Sequence, residues 1–248
     1  MKALITGASS GLGKDFAINL SNMGYDLVLV ARSKENLNEV KKLCSTNVEI
    51  EAMDISIMDN CYKLHKKHND IDLLINNAGF GLFGHFSVLD LERELNMVDL
   101  NVKSLHLLTR LYLDDMIKKD SGRILNVASI AAFLPGPFLN TYYATKAYVM
   151  RYSVALNEEL RSKKSNVKIS VLCPGPTKTN FNNVANVKFS LKSMECNEVV
   201  KYALKKMFKN KLIIIPGFMN RLGVFACRFA PIWLQARVSG YIQKKKGD

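Results

Sequence analysis

Seven apolar runs of strand length, separated by amphipathic segments of helix length, constrain this chain more than any other feature. They are KALIT (2–6), DLVLV (26–30), VEIEAM (48–53), IDLLIN (71–76), GRILNVAS (122–129), VKISVLC (167–173) and LIIIP (212–216). Strands alternating with helices build βαβ units, and a run as continuous as DLVLV belongs to a strand buried on both faces. The pattern predicts one α/β domain: a doubly wound, parallel sheet of about seven strands with helices on both faces. A chain of 248 residues fits that size, because α/β folds reach it without dividing. Ligands of such sheets bind beyond the carboxyl ends of the strands, so function is sought in the loops after each run.

Composition removes several alternatives. With 48% hydrophobic and 23% charged residues and no low-complexity tract, disorder and collagen-like structure are excluded. No apolar run reaches the roughly 18 residues that a bilayer span requires. Met1-Lys2 leads straight into a strand rather than a leader, so a cytoplasmic chain starting at Met1 is expected. The five cysteines are odd in number and none share CxxC spacing, which signals neither a disulfide framework nor a thiolate metal site. His65 and His68, in LHKKHND, read as a solvated helix face, and no metal is expected.

The first run is followed by Thr6-Gly7-Ala8-Ser9-Ser10-Gly11-Leu12-Gly13 and then by a helical segment. Three glycines at a strand-to-helix turn let backbone approach a diphosphate, while the N–H groups and dipole of the new helix face its charge. The second run ends Val30-Ala31-Arg32-Ser33-Lys34. A carboxylate there would accept a ribose 2′-hydroxyl and repel a 2′-phosphate. Arg32, followed by the Ser33 hydroxyl and a second cation, instead favours the phosphorylated ribose of NADP.

Thirteen residues after Ser129, at the end of the fifth run, stands Tyr142-Tyr143-Ala144-Thr145-Lys146. On a helix Tyr142 and Lys146 share a face, whereas Tyr143 is turned about 100° away. Tyr142 is the candidate proton donor and Tyr143 a packing residue. A neighbouring ammonium would bring a phenol of ordinary pKa about 10 toward the working pH, and Ser129 would hold the substrate oxygen.

Together these residues resemble the short-chain dehydrogenase/reductase family over nearly the whole chain. The matching positions are the turn at 6–13, Asp54 after the third run, Asn76-Asn77-Ala78-Gly79 after the fourth, Asn101, Ser129, Tyr142, Lys146, and Pro174-Gly175-Pro176-Thr177-Lys178-Thr179 after the sixth. The resemblance implies a Rossmann-type fold and an oxidoreductase using NADP(H). It implies a catalytic set of Asn101, Ser129, Tyr142 and Lys146. Gly7, Ser9, Ser10, Gly11, Leu12 and Gly13 would hold the diphosphate. Asp54, with Ile55 beside it, would contact the adenine, and Asn77, Ala78 and Gly79 would support the adenosine half. Asn101 would hold a water linking Lys146 to solvent, and Lys146 would also bond the nicotinamide ribose. Pro174, Gly175, Thr177 and Thr179 would frame the carboxamide. The family also implies a homodimer or homotetramer built on the helices that contain Asn101 and Tyr142.

Segments expected to line the substrate site, Phe80–Phe83, Ala131–Pro135 and Phe181, are apolar. They predict a hydrophobic ketone or aldehyde, or the corresponding alcohol. Residues 1–215 are expected to form the catalytic domain and 216–248 a basic helical extension packed on it. Residues 1–160 carry net charge −2, with 17 basic and 19 acidic side chains, and 161–248 carry +15, with 18 and 3. In the extension two amphipathic helices are expected on either side of Pro231. Either they pack on the domain with their basic side outward, or their apolar side covers the substrate pocket or lies in an anionic membrane interface. The rival to an enzyme is a lipid-surface or nucleic-acid binding module that uses this basic third and keeps NADP for regulation. No nucleic-acid motif or stacking pattern supports a nucleic-acid partner.

Overall fold

The computed structural model describes residues 1–179 and 193–244. Its strands are β1 (Lys2–Thr6), β2 (Asp26–Ala31), β3 (Val48–Ala52), β4 (Leu73–Asn76), β5 (Arg123–Val127), β6 (Lys168–Leu172) and β7 (Ile213–Ile214). They form one parallel sheet in the order β3-β2-β1-β4-β5-β6-β7. The helices are α1 (Gly11–Asn22), α2 (Lys34–Lys41), α3 (Met58–Lys67), α4 (Leu91–Val98), α5 (Leu105–Lys118), α6 (Asn140–Ser162), α7 (Cys196–Met207), α8 (Phe218–Cys227) and α9 (Ile232–Lys244). Each of the seven apolar runs supplies one strand, so the doubly wound fold is as expected.

Strand alternation decides which helix each side chain meets. Ala3 pairs in register with Leu27 and Leu73, so Ala3, Ile5, Leu27, Leu29, Leu73 and Ile75 share one face. There they pack with Phe16, Ala17 and Leu20 of α1 and with Val199, Val200 and Ala203 of α7. Leu4, Val28, Val30 and Leu74 point the other way, onto Leu64 of α3 and Leu108, Tyr112 and Met116 of α5. Full burial on both faces is why the runs are continuous rather than alternating, at roughly 1.5–3 kcal/mol of transfer free energy for each buried large side chain. Winding reverses between β1 and β4, which leaves a crevice at their carboxyl ends.

One expectation is corrected, and one of the arrangements open to the C-terminal helices is not the one seen. His65 and His68 are not a solvated face: His68 is buried with Nε2 2.8 Å from Glu51 Oε1, and His65 Nε2 lies 2.6 Å from Asp115 Oδ2. Their carboxylate partners come from β3 and α5, remote in sequence. The two C-terminal helices flank Pro231, but they do not bury their apolar side and expose their basic one. Val224 is the one buried side chain of α8, and α9 buries Ser239 and Gln243. Phe218, Phe225, Phe229, Ile232 and Trp233 face solvent.

Candidate active site

Gly7 is left-handed at φ 66, and a Cβ there would lie 2.9 Å from the Ala78 Cα. A Cβ on Gly13 would lie 2.1 Å from the Gly7 carbonyl oxygen, so α1 can meet the turn this closely only with glycine at that position. The turn is braced from β4. The Thr6 hydroxyl accepts from the Asn77 and Ala78 N–H groups at 3.0 Å each, and Asn77 Nδ2 donates to the Thr6 and Gly7 carbonyls at 3.0 and 3.2 Å. The α1 N-terminus has no side-chain cap from Ser10 and no acidic residue in its first turn. Its N–H groups and positive dipole end therefore suit a diphosphate. Gly13→Ala is expected to leave a folded protein whose affinity for the dinucleotide falls at least about tenfold, since a Cβ 2.1 Å from the Gly7 carbonyl oxygen forces the turn to open by roughly 1 Å. Fluorescence titration with NADPH, with circular dichroism as the folding control, checks this.

Arg32 is exposed just beyond β2 and engages no ion pair among the described residues. Ser33 Oγ caps α2 by accepting from Asn36 N at 3.2 Å and donates to Glu35 at 3.1 Å. Asp54 Oδ1 accepts from the Ser56 N–H and hydroxyl at 2.9 and 2.7 Å, which fixes the turn after β3, and Ile55 is buried beneath it. Across the crevice, Thr179 Cγ2 comes within 3.1 Å of a Cβ placed on Gly11. The loop after β6 thus meets the glycine turn, and Thr177 and Lys178 pair with Met194 to hold it. Phe181 lies outside the described residues.

The chemical groups gather where β5 ends. Ser129 caps the 3-10 turn Ile130–Phe133, its Oγ accepting from Ala131 N at 3.1 Å, and it is hydrogen-bonded to the Tyr142 hydroxyl. Lys146 Nζ stands 5.8 Å from the Tyr142 ring centroid and donates to the Val127 carbonyl at 3.0 Å. Asn101 lies in a π-helical turn, Asp99–Ser104, between α4 and α5, and such turns are frequent at functional sites. Its Oδ1 accepts from Phe80 N at 3.1 Å, and its Nδ2 donates to Phe80 O at 2.9 Å and to Thr145 Oγ1 at 3.2 Å. A Cβ on Gly79 would lie 2.8 Å from Asn101 Oδ1 and 3.4 Å from Lys146 Nζ. Glycine at 79 therefore lets the asparagine and the lysine approach each other.

Burial sets the charges here. It pushes the Tyr142 phenol well above its ordinary value, against the Ser129 hydrogen bond that lowers it. It pulls the Lys146 ammonium down to about 8. The ammonium lies beside the ring and does not offset the desolvation of the hydroxyl. With the chain's own groups alone, Tyr142 is a neutral proton donor rather than a phenolate.

Several positioning residues were not anticipated. Asn76 Nδ2 donates to Thr109 Oγ1 and to Asn126 Oδ1, each at 2.9 Å, and Asn126 Nδ2 donates to Ser153 Oγ at 3.0 Å. This buried ladder ties β4, α5, β5 and α6 together beneath the site. Its signal was an asparagine at the same register in two apolar runs, Asn76 opposite Asn126. Tyr143 turns toward α9, where Gln243 Nε2 donates to its hydroxyl and Ser239 also bonds it. Asn220 of α8 packs so tightly on Gly175 that a Cβ there would lie 2.4 Å from its Nδ2. Of the expected lining, Leu82, Ala131 and Ala132 are core, whereas Phe80, Phe83, Phe133 and Leu134 are partly exposed.

A glycine turn, a buried Lys beside a Tyr–Ser pair, and a parallel sheet that reverses at β1 and β4 define a nucleotide-dependent oxidoreductase. The chain belongs to the short-chain dehydrogenase/reductase family, whose sequence model, described as short chain dehydrogenase, matches residues 1–188. It is thereby an oxidoreductase of CH–OH and C=O groups, in a family that uses nicotinamide cofactors. An uncharacterised oxidoreductase of Staphylococcus epidermidis is 32% identical over 209 residues, 82% of this chain and 90% of that protein. A very-long-chain 3-oxoacyl-CoA reductase of Danio rerio is 34% identical over 171 residues, 65% of this chain and 55% of that protein. Among solved structures, a short-chain dehydrogenase from Sphingobium yanoikuyae in complex with NADPH superposes with a TM-score of 0.82 at 29% identity, covering 91% of this chain and 92% of that one.

Proposed function

We propose that the protein reduces a hydrophobic ketone or aldehyde to the alcohol with NADPH. The observation that carries this reading is the Tyr142–Ser129 hydrogen bond with Lys146 buried against the same ring. NADPH fits the exposed Arg32 guanidinium at the end of β2, and a relative's complex with NADPH supports the same choice. Arg32 would hold the 2′-phosphate with Ser33 beside it, and Ser9, Ser10 and the α1 N–H groups the diphosphate. Asp54 would reach the adenine edge, and the loop Pro174–Thr179 would frame the nicotinamide end. When bound, the nicotinamide supplies hydride to the carbonyl carbon.

The chain's own residues handle the oxygen. Ser129 Oγ donates to the carbonyl oxygen and fixes it beside the Tyr142 hydroxyl. Tyr142 gives up its proton as negative charge develops on that oxygen. Lys146 stabilises the phenolate left behind, and Asn101 would hold a water linking Lys146 to solvent for reprotonation. The partly exposed Phe80, Phe83 and Phe133 favour an apolar substrate, and the 3-oxoacyl-CoA reductase relative keeps long-chain 3-oxoacyl thioesters among those to try. Homo-oligomerisation would use α5 and α6, where exposed His106 stacks on Tyr152 at 4.6 Å and bonds the Tyr148 hydroxyl at 2.7 Å. The test is NADPH oxidation followed by absorbance against aldehydes, steroid ketones and 3-oxoacyl thioesters; no carbonyl-dependent oxidation across all three classes rejects the reading.

The pH dependence follows from the buried lysine. Lys146 carries its charge below about 8 and loses it above, while the phenol stays protonated. The kcat/KM for reduction, which reports groups of the free enzyme, is expected to be level at low pH and to fall up to about tenfold per unit above about 8. A profile flat to about pH 10 removes Lys146 from the proton path.

A further inference from the structure

The C-terminal helices are turned inside out. A helix covering a water-exposed domain ordinarily buries its apolar stripe and exposes polar side chains. Here α9 buries Ser239 at 4% and Gln243 at 3% relative exposure, while Ile232 at 74% and Trp233 at 58% face outward. Along α8 and the turn that follows it, Phe218, Leu222, Phe225 and Phe229 stand at helical spacing, all exposed. Phe225 and Phe229 pack edge-to-face at 5.2 Å, so they form a continuous apolar ridge rather than scattered residues. A contiguous patch of this kind marks an interaction surface.

The hairpin's own charges are all cationic. The sequence has no Asp or Glu between Glu198 and Asp248, and the cations are Arg221 on α8, Arg228 at its C-terminal cap, and Arg237 and Lys244 on α9. The Arg237 guanidinium stacks 5.3 Å from the Trp233 ring and that of Arg221 5.8 Å from Phe218. Aromatic rings flanked by cations suit the boundary between headgroups and acyl chains. A second copy of the chain fits poorly, because pairing this face with itself would bring two cationic rims together with no carboxylate between them. Among the described residues no helix is long and apolar enough to cross a membrane.

We propose that the outer face of α8 and α9 docks on an anionic lipid bilayer and lies in its interface. The inner side of the same hairpin touches the catalytic region. α8 packs on the 3-10 turn that follows Ser129, Asn220 packs on Gly175, and Gln243 and Ser239 hold Tyr143, the neighbour of Tyr142. On the reductase reading, on which this part rests, the substrate is a carbonyl lipid drawn from the bilayer beside the hairpin.

Trp233 is the only tryptophan in the chain, which makes its emission a direct reporter. The full chain is mixed at physiological salt with phosphatidylcholine vesicles, with or without phosphatidylglycerol. With phosphatidylglycerol the emission is expected to move to shorter wavelength and the protein to float with the vesicles. Phe225→Asp with Phe229→Asp is expected to abolish flotation; both positions are already exposed, and circular dichroism checks the fold. Arg228→Gln with Arg237→Gln is expected to weaken partitioning roughly thirtyfold, from the usual weight of two cations at an anionic surface. Unshifted emission and no flotation with anionic vesicles overturn the proposal. So does light scattering that shows a dimer split by the Phe225→Asp, Phe229→Asp variant, with no vesicle binding. Binding is read without turnover, and NADPH oxidation with a water-soluble carbonyl is read without vesicles, so failure of the lipid surface and failure of the reductase reading are distinguishable.

Discussion

Tyr142→Phe is expected to lower kcat for carbonyl reduction by a factor on the order of a thousand, within the range that a positioned proton donor contributes. The substitution keeps the ring on Lys146 and removes only the hydroxyl bonded to Ser129. Among the described residues, neither of the two groups that flank it can replace it. Ser129 is an alcohol of much higher pKa, and Lys146 Nζ is tied to the Val127 carbonyl. The dinucleotide is held by the glycine turn and the β2 end, so NADPH affinity is expected to change less than about threefold, the loss of one weak contact. Tyr143→Phe provides the contrast: it breaks the bonds from Gln243 and Ser239 and is expected to leave kcat within about fivefold, as for a positioning contact. Steady-state kinetics with NADPH titration of each variant separates the two tyrosines. A Tyr142→Phe enzyme within tenfold of the parent would move the acid role elsewhere.

The inner strands were legible because burial on both faces writes itself as unbroken apolar runs. Edge strand β3 instead alternates Val48, Ile50 and Ala52 with Glu49 and Glu51, and all seven runs became strands. Tyr142 could be told from Tyr143 because helical periodicity puts residue 146 on the face of one and not the other. What stayed hidden depended on distant partners. The acids that bury His65 and His68 stand at 115 and 51, on elements that LHKKHND does not announce. Periodicity also gave the two C-terminal helices an apolar and a basic side but not which side meets the domain, since that depends on the shape of the surface around Ser129, Tyr143 and Gly175. The acidity of Tyr142 is the third case. Spacing supplied the neighbouring cation, but the depth of the pocket, which raises the phenol and lowers the amine together, appears only in three dimensions.

Arg32→Asp is expected to reverse the cofactor preference, lowering kcat/KM with NADPH about a hundredfold and raising it with NADH. A charged hydrogen bond to phosphate contributes about 1.5–3 kcal/mol, and at 1.36 kcal/mol per decade the upper half of that range gives two decades. Replacement by a carboxylate adds repulsion, because Glu35 already stands next to the Ser33 cap of α2. The 2′-phosphate would then meet two negative side chains in place of one cation and one carboxylate. For NADH the sign inverts, since the new carboxylate can accept from the ribose hydroxyls. Arg32 is exposed and engages no ion pair among the described residues, so its removal should cost the fold little. A change confined to NADPH therefore speaks for phosphate recognition rather than damage. Salt supplies an independent check: the parent's KM for NADPH should rise with ionic strength more steeply than its KM for NADH, because screening weakens an exposed guanidinium–phosphate contact. In the Arg32→Asp variant that difference should vanish. Equal use of both cofactors by the parent enzyme would place 2′-phosphate recognition elsewhere or remove it altogether.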